Sequence, residues 1–203
     1  KLSTFEVQSG NKAFKVQNAD YILSADGKTL IAVAPSVEGE FTGASIGGAD
    51  VSMIGKGAFS HNTKITTVTL PNVVEVGDYG FGSSKNVSSI NLGTLNKIGE
   101  YAFFETAIST HPAITTETEM SKYAFSHSAL TNVVIPDGVK IIGERAFFWC
   151  EKVTGVIIPE SVTAIDYGAF LGCTKMKNMT IPASVTTIGE AAFMECRNLI
   201  VVV

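Results

Sequence analysis

Charge is scarce in this chain. Of its 203 residues only 17% are Asp, Glu, Lys or Arg, against about 25% in an average soluble domain. What charge there is leans acidic, with 15 Lys+Arg against 19 Asp+Glu and a net charge of −4. A nucleic-acid binder needs a cationic face to displace phosphate counterions, and docking on anionic lipid needs the same, so composition argues against both. Long hydrophobic runs are missing as well. Apolar residues reach 45%, yet no stretch approaches the ~18 consecutive apolar residues of a membrane-spanning helix. The apolar residues are spread evenly, which points to a repeated pattern. Cysteine is limited to three, an odd number that excludes a fully paired disulfide framework within one chain. The chain starts at Lys1 with no signal-peptide pattern after it, the expectation for a processed protein or an excised piece.

The repeat is found by self-comparison. Seven phenylalanines stand in register, Phe59, Phe81, Phe103, Phe125, Phe147, Phe170 and Phe193, with spacings of 22, 22, 22, 22, 23 and 23. Five residues before each stands an apolar residue: Ile54, Val76, Ile98, Met120, Ile142, Ile165 and Ile188. Directly before each stands Ala or Gly, which is expected where neighbouring coils approach closely. Five or six residues after each, an apolar residue opens a segment such as Ile65-Thr66-Thr67-Val68-Thr69-Leu70. That segment is β-branched and alternating, and so predicts a short strand. Pro71, Pro136, Pro159 and Pro182 follow four of these segments. Lacking an N–H, proline ends the ladder and turns the chain.

No single unit has enough apolar residues to bury a core alone, whereas stacked units bury a continuous one. The expected architecture is a solenoid of about seven turns with strands in parallel at roughly 4.8 Å, about 35 Å long. The Ile-Gly-Glu-Arg-Ala-Phe segment is too short for an independent helix. It predicts an extended turn or one helical turn, with Ile and Phe inward.

The segment 142–193, from Ile-Gly-Glu-Arg-Ala-Phe to Ile-Gly-Glu-Ala-Ala-Phe, resembles the BspA-like leucine-rich repeats, also called the Treponema pallidum type. The resemblance covers about residues 51–203 and weakens over 104–122, where Ser109-Thr110-His111-Pro112 replaces a regular strand. It implies a curved leucine-rich repeat solenoid with a parallel sheet on its concave face. It also implies a surface-anchored or secreted bacterial protein, of a family associated with adhesion and host-protein binding and bringing no enzymatic activity. Residues 1–50 lack the Ala-Phe signature. Two apolar runs joined by Ala25-Asp26-Gly27-Lys28 predict a β-hairpin there, read as an N-terminal cap before the solenoid of 51–203.

Outward positions between inward apolar residues should line the concave sheet: Thr67, Thr69, Ser89, Asn91, Asn132, Val134, Gly155, Ile157, Asn178 and Thr180. This neutral row of hydroxyls and amides with an apolar patch suits an uncharged polar surface, either an extended peptide or a glycan. It equally suits cross-strand ladders that only stabilise the sheet. Three residues after each register Phe stand Asn62, Ser84, Thr106, Ser128, Cys150, Cys173 and Cys196. All are small, and a structural ladder that satisfies buried backbone groups is expected. A disulfide between stacked cysteines is the alternative, although parallel side chains do not aim their sulfurs at each other.

Gly43-Ala44-Ser45-Ile46-Gly47 matches Gly-x-Ser-x-Gly, but no helical periodicity follows, as a nucleophile elbow requires. A loop is expected, and a serine hydrolase is the remote alternative. His61, His111 and His127 show no metal-ligand spacing. Glu100, Glu144 and Glu190 share one slot and form an acidic edge rather than a convergent ion site. No cofactor motif is present. The uncharged run Leu199-Ile200-Val201-Val202-Val203 predicts an edge strand open to self-association. The functional expectation is a recognition module, with a structural spacer or assembly unit as the alternative.

Overall fold

The computed structural model describes residues 4–8, 10–17 and 19–202; Val203 of the terminal run lies outside them. Every regular element among the described residues is a strand. The chain opens with β1 (Phe14–Gln17), β2 (Tyr21–Ser24) and β3 (Thr29–Val33), which pair antiparallel in sequence. The predicted turn at 25–28 joins β2 to β3, with Asp26 Oδ1 accepting the Ser24 hydroxyl and the Lys28 N–H.

From there the chain circulates. It lays down β4 (Gly39–Thr42), β5 (Met53–Ile54), β6 (Ile65–Leu70), β7 (Glu75–Val76), β8 (Ser89–Leu92), β9 (Leu95–Ile98) and β10 (Ile114–Met120). After an irregular turn come β11 (Asn132–Val134), β12 (Ile141–Ile142), β13 (Gly155–Ile157), β14 (Ala164–Ile165), β15 (Asn178–Thr180), β16 (Thr187–Ile188) and β17 (Ile200–Val202). Two parallel ladders result. The long strands stack as β4-β6-β8 and then β11-β13-β15-β17. The short strands stack on β3 as β5-β7-β9-β10 and then as β12-β14-β16. The hairpin strand β3 and strand β4 thus supply the first rung of both ladders.

The segment around each register Phe is neither helical nor extended. The residues two before and two after the Phe adopt positive φ, as at Tyr79 (52°) and Ser83 (59°), Tyr101 (55°) and Glu105 (53°), and Arg145 (51°) and Trp149 (53°). Left-handed backbone costs an L-residue about 1–2 kcal/mol. Alternating the hand turns every second N–H toward the next coil. Tyr79, Phe81 and Ser83 donate to the carbonyls of Glu100, Ala102 and Phe104 at 2.8 Å each. A helical turn would spend those donors internally; here they hold one coil to the next.

This turn ladder is the continuous spine. The long-strand ladder breaks at segment 109–113 and the other ladder after β10, but Tyr101, Phe103 and Glu105 still bond to Lys122, Ala124 and Ser126 at 2.8–3.2 Å, and Tyr123, Phe125 and His127 to Glu144, Ala146 and Phe148 at 2.8–3.1 Å. Behind it runs a column of seven phenylalanine rings, stacked with centroids 4.8–5.8 Å apart and planes within 13°. Phe41 meets its first ring edge-on at 5.1 Å, and Tyr21 of the hairpin meets Phe41 edge-on at 6.3 Å. The tightest approach to the neighbouring coil lies four residues before the Phe. A Cβ on Gly143 would sit 2.1 Å from the Met120 carbonyl oxygen, and one on Gly99 would sit 2.4 Å from the Asp78 nitrogen. The Ala or Gly before each Phe is buried in the core, and from Gly80 onward its carbonyl accepts the N–H of the preceding coil's Phe.

Candidate binding face

The outward positions of the long strands fall into two groups. In the first, Thr67 lies beside Ser89 and Thr69 beside Asn91, with Glu40 and Thr42 extending both rows. In the second, Asn132, Gly155, Asn178 and Ile200 form one row, and Val134 pairs with Ile157 in the next, near Thr180. The second group carries the apolar exposure: Val134 is 49%, Ile157 64% and Ile200 66% accessible. Gly155 leaves a notch between two asparagines, since only Asn132 Oδ1, at 3.9 Å, approaches its missing Cβ. The Thr154 hydroxyl lies 3.1 Å from both Asn132 Oδ1 and the Thr131 carbonyl oxygen, and shares its one proton between them.

Between the groups the sheet is broken, because Pro112 cannot donate to a ladder and segment 109–113 forms no strand. The junction is closed by other means. Thr131 N–H donates to the Ser109 carbonyl at 3.0 Å, and Val134 N–H donates to His111 Nε2 at 3.3 Å. His111 Nδ1 lies 2.8 Å from the Pro112 carbonyl oxygen. These two contacts define one tautomer, with Nδ1 donating and Nε2 accepting. An imidazole thus substitutes for a strand carbonyl.

Five of the seven small residues three positions after the Phe hydrogen-bond to phenylalanine carbonyls. Cys150, Cys173 and Cys196 donate their S–H to the carbonyls of Phe125, Phe147 and Phe170, one coil back, at 3.1–3.3 Å. Ser84 does the same toward Phe59, whereas Thr106 turns to Phe103 of its own coil at 2.9 Å. Asn62 spans more: its Nδ2 reaches the Ala34 and Val37 carbonyls, and its Oδ1 accepts two backbone N–H groups at 2.9 Å. Ser128 Oγ lies 3.4 Å from Cys150 Sγ. All three cysteines are free thiols. Burial pushes the Cys150 thiol up to about 12 and the half-buried Cys196 to about 11, and raises Cys173 well above its ordinary value.

Ser45 sits in a turn where its hydroxyl accepts the Thr42 N–H at 3.0 Å, an arrangement that anchors a loop. Among the described residues no group of three His, Cys, Asp or Glu side chains converges on a metal position. Of the acidic edge, Glu144 is engaged by Lys122 at 2.8 Å and by Arg145 at 3.0 Å. The Lys122 hydrogen bond holds its carboxyl below the ordinary range. His61 contacts Ser60 Oγ, and His127 sits edge-on between the Phe104 and Phe148 rings.

Reading the sequence missed a second aromatic column. Tyr79, Tyr101 and Tyr123 stack on the outer side of the turn at 4.7 and 4.5 Å, and burial within that stack pushes the Tyr101 hydroxyl up. The signal was present: three tyrosines spaced by 22, each two residues before a register Phe.

The BspA type leucine rich repeat region, in six copies, matches residues 52–126 and 118–203. A search of the curated proteins finds no match. Among solved structures, a leucine rich cell surface protein from Faecalibacterium prausnitzii is 26% identical with a TM-score of 0.74, over 96% of this chain and 55% of the other. A leucine-rich repeat protein from Bacteroides ovatus shares the fold at 22% identity and a TM-score of 0.74, over 97% and 52%. The T. pallidum leucine rich repeat protein shares it at 23% and 0.71, over 97% and 91%. The chain spans about half the length of the first two structures. No helix among the described residues is long and apolar enough to cross a membrane.

Proposed function

Since the chain belongs to the BspA-type leucine-rich repeat family, we propose that it is a non-enzymatic recognition module, working at or outside the bacterial cell surface. It binds a protein or glycan through its long-strand face, as an adhesive module does. The observation that carries this reading is the make-up of that face. Outward-pointing hydroxyls and amides stand at Thr67, Thr69, Ser89, Asn91, Asn132, Asn178 and Thr180, and exposed apolar side chains stand at Val134 and Ile157. Ladders on both sides hold the strands, so binding incurs little ordering cost. The cell surface setting is supported by the F. prausnitzii relative.

The test is an array of matrix proteins and glycans, followed by titration of each hit against two variants. One carries Thr67→Asp, Asn91→Asp and Asn132→Asp, and the other carries Ile157→Asp. Charge on this face is expected to weaken binding at least tenfold. Unchanged affinity in both variants rejects the assignment. A protein that binds nothing and only self-associates is instead a spacer or assembly unit.

A further inference from the structure

The position two residues before each of the first five register phenylalanines is occupied in turn by Gly57, Tyr79, Tyr101, Tyr123 and Arg145. The three tyrosines form one stack, with planes within 9°. Arg145 closes one end of it. Its Cζ lies 5.3 Å from the Tyr123 ring centroid and 4.5 Å from that of Tyr167, and its Nη1 is 3.0 Å from Glu144 Oε1.

The other end is open. Gly57 N–H donates to the Asp78 carbonyl at 2.9 Å, just as Tyr79 N–H donates to that of Glu100 at 2.8 Å, so Gly57 holds the same place one coil earlier. It has no side chain to cover the outer face of Tyr79, which is 39% exposed. A Cβ built on Gly57 finds only Ser60 Cβ within 4 Å, at 3.8 Å. The space beside the Tyr79 ring on the Gly57 side is therefore open. Asp78 stands beside it, held loosely by Lys56 at 3.5 Å, with its other oxygen accepting the Glu100 N–H at 3.1 Å.

We propose that this gap binds an arginine side chain presented by a partner polypeptide, laid flat on Tyr79 and paired with Asp78. A guanidinium is planar and stacks on an aromatic face while pairing with a carboxylate. The electron-rich face of a tyrosine stack attracts a cation. The protein already places a guanidinium between ring faces and beside a carboxylate at the other end of the same stack. Lys56 competes with the ligand for Asp78. The site lies on the turn edge, so it stands or falls independently of the long-strand face.

The test is an NMR titration of the whole protein with acetyl-Gly-Arg-Gly-amide, against the same peptide carrying neutral citrulline. Saturable shifts at the Gly57 amide and the Tyr79 ring are expected for the arginine peptide alone. Tyr79→Ala should lower affinity about two- to fivefold, the worth of one exposed cation–π contact. Gly57→Tyr should abolish binding by filling the gap with a ring whose backbone the same register already accepts at φ near 55°. Lys56→Ala should tighten binding by freeing Asp78. If Tyr79→Ala unfolds, Gly57→Tyr decides alone. Equal response to citrulline, unchanged affinity in Gly57→Tyr, or no shift at all overturns the proposal. So does weakening by Lys56→Ala, which would mean that Lys56 contacts the peptide rather than competing with it for Asp78.

Discussion

Replacing Cys150 with serine should cost little at neutral pH and should stabilise the protein relative to its parent in alkali. The ladder already uses serine in the equivalent place at Ser84 and Ser128. A hydroxyl donates the same bond to the Phe125 carbonyl, so the neutral cost is about 1 kcal/mol or less. The alkaline effect follows from linkage. Burial holds the folded Cys150 thiol up at about 12, against 9.0 for an ordinary thiol. A thiolate there would also lose its S–H bond and face a carbonyl oxygen 3.1 Å away. Below pH 9 both states keep the proton and the contribution to stability is complete. Between about 9 and 12 the unfolded chain has released a proton that the folded chain retains. Stability then falls with rising pH, by about 1.4 kcal/mol per unit. At pH 10.5 the parent has lost about 2 kcal/mol through Cys150 alone. Cys150→Ser has no such proton, while the lysines, tyrosines and remaining two thiols titrate in both proteins and cancel in the difference. Urea unfolding at half-unit steps from pH 8 to 10.5, in reductant, gives that difference directly. A flat difference would refute the reasoning, because it would mean that the folded thiol ionises as readily as a solvated one.

Two further substitutions probe the frame. His111→Ala removes the acceptor of the Val134 N–H at the exposed sheet junction and should cost about 0.5–1.5 kcal/mol, with faster hydrogen exchange at Val134; His111→Gln, which can still accept, should lose less, and equal losses would deny the imidazole its bridging role. Gly143→Ala drives a Cβ onto the Met120 carbonyl oxygen and should lower stability by about 1–3 kcal/mol, seen as a fall of about 2–12 °C in thermal midpoint; an unchanged midpoint would show that the coils can part there without cost.

What was legible in the sequence was whatever recurs with the coil. The phenylalanine column, the apolar residues five before it and the small residues three after it are all one-dimensional patterns, and each becomes a line of contacts along the stack. The conformation of the turn was not legible. Tyr-Gly-Phe-Gly and Tyr-Ala-Phe-Phe carry no residue that demands positive φ. The left-handed positions arise because the neighbouring coil offers carbonyls that a helix would not reach, which is a tertiary effect overriding local preference. The break at segment 109–113 was visible through Pro112, but its repair was not: nothing in His-Pro signals an imidazole accepting from a strand 23 residues later. The candidate face was read as one continuous row, and the structure divides it in two, because a ladder cannot pass a residue without an N–H.

The same turn explains where this fold can vary. At the left-handed positions the backbone N–H makes the bond that joins one coil to the next, so the fold does not demand one side-chain type there. Two residues before the Phe the chain places Gly57, Tyr79, Arg145 and Ala191, and two residues after it His61, Glu105, Trp149 and Gly172. Chemistry this diverse at a position of constant geometry means that the backbone, not the side chain, satisfies the fold there. Inward positions show the opposite, with one residue type repeated throughout the column. A coil of this kind therefore separates its two tasks by register. Recognition can be rewritten at the outward strand and turn positions one residue at a time, and each change is felt only by the coils immediately above and below.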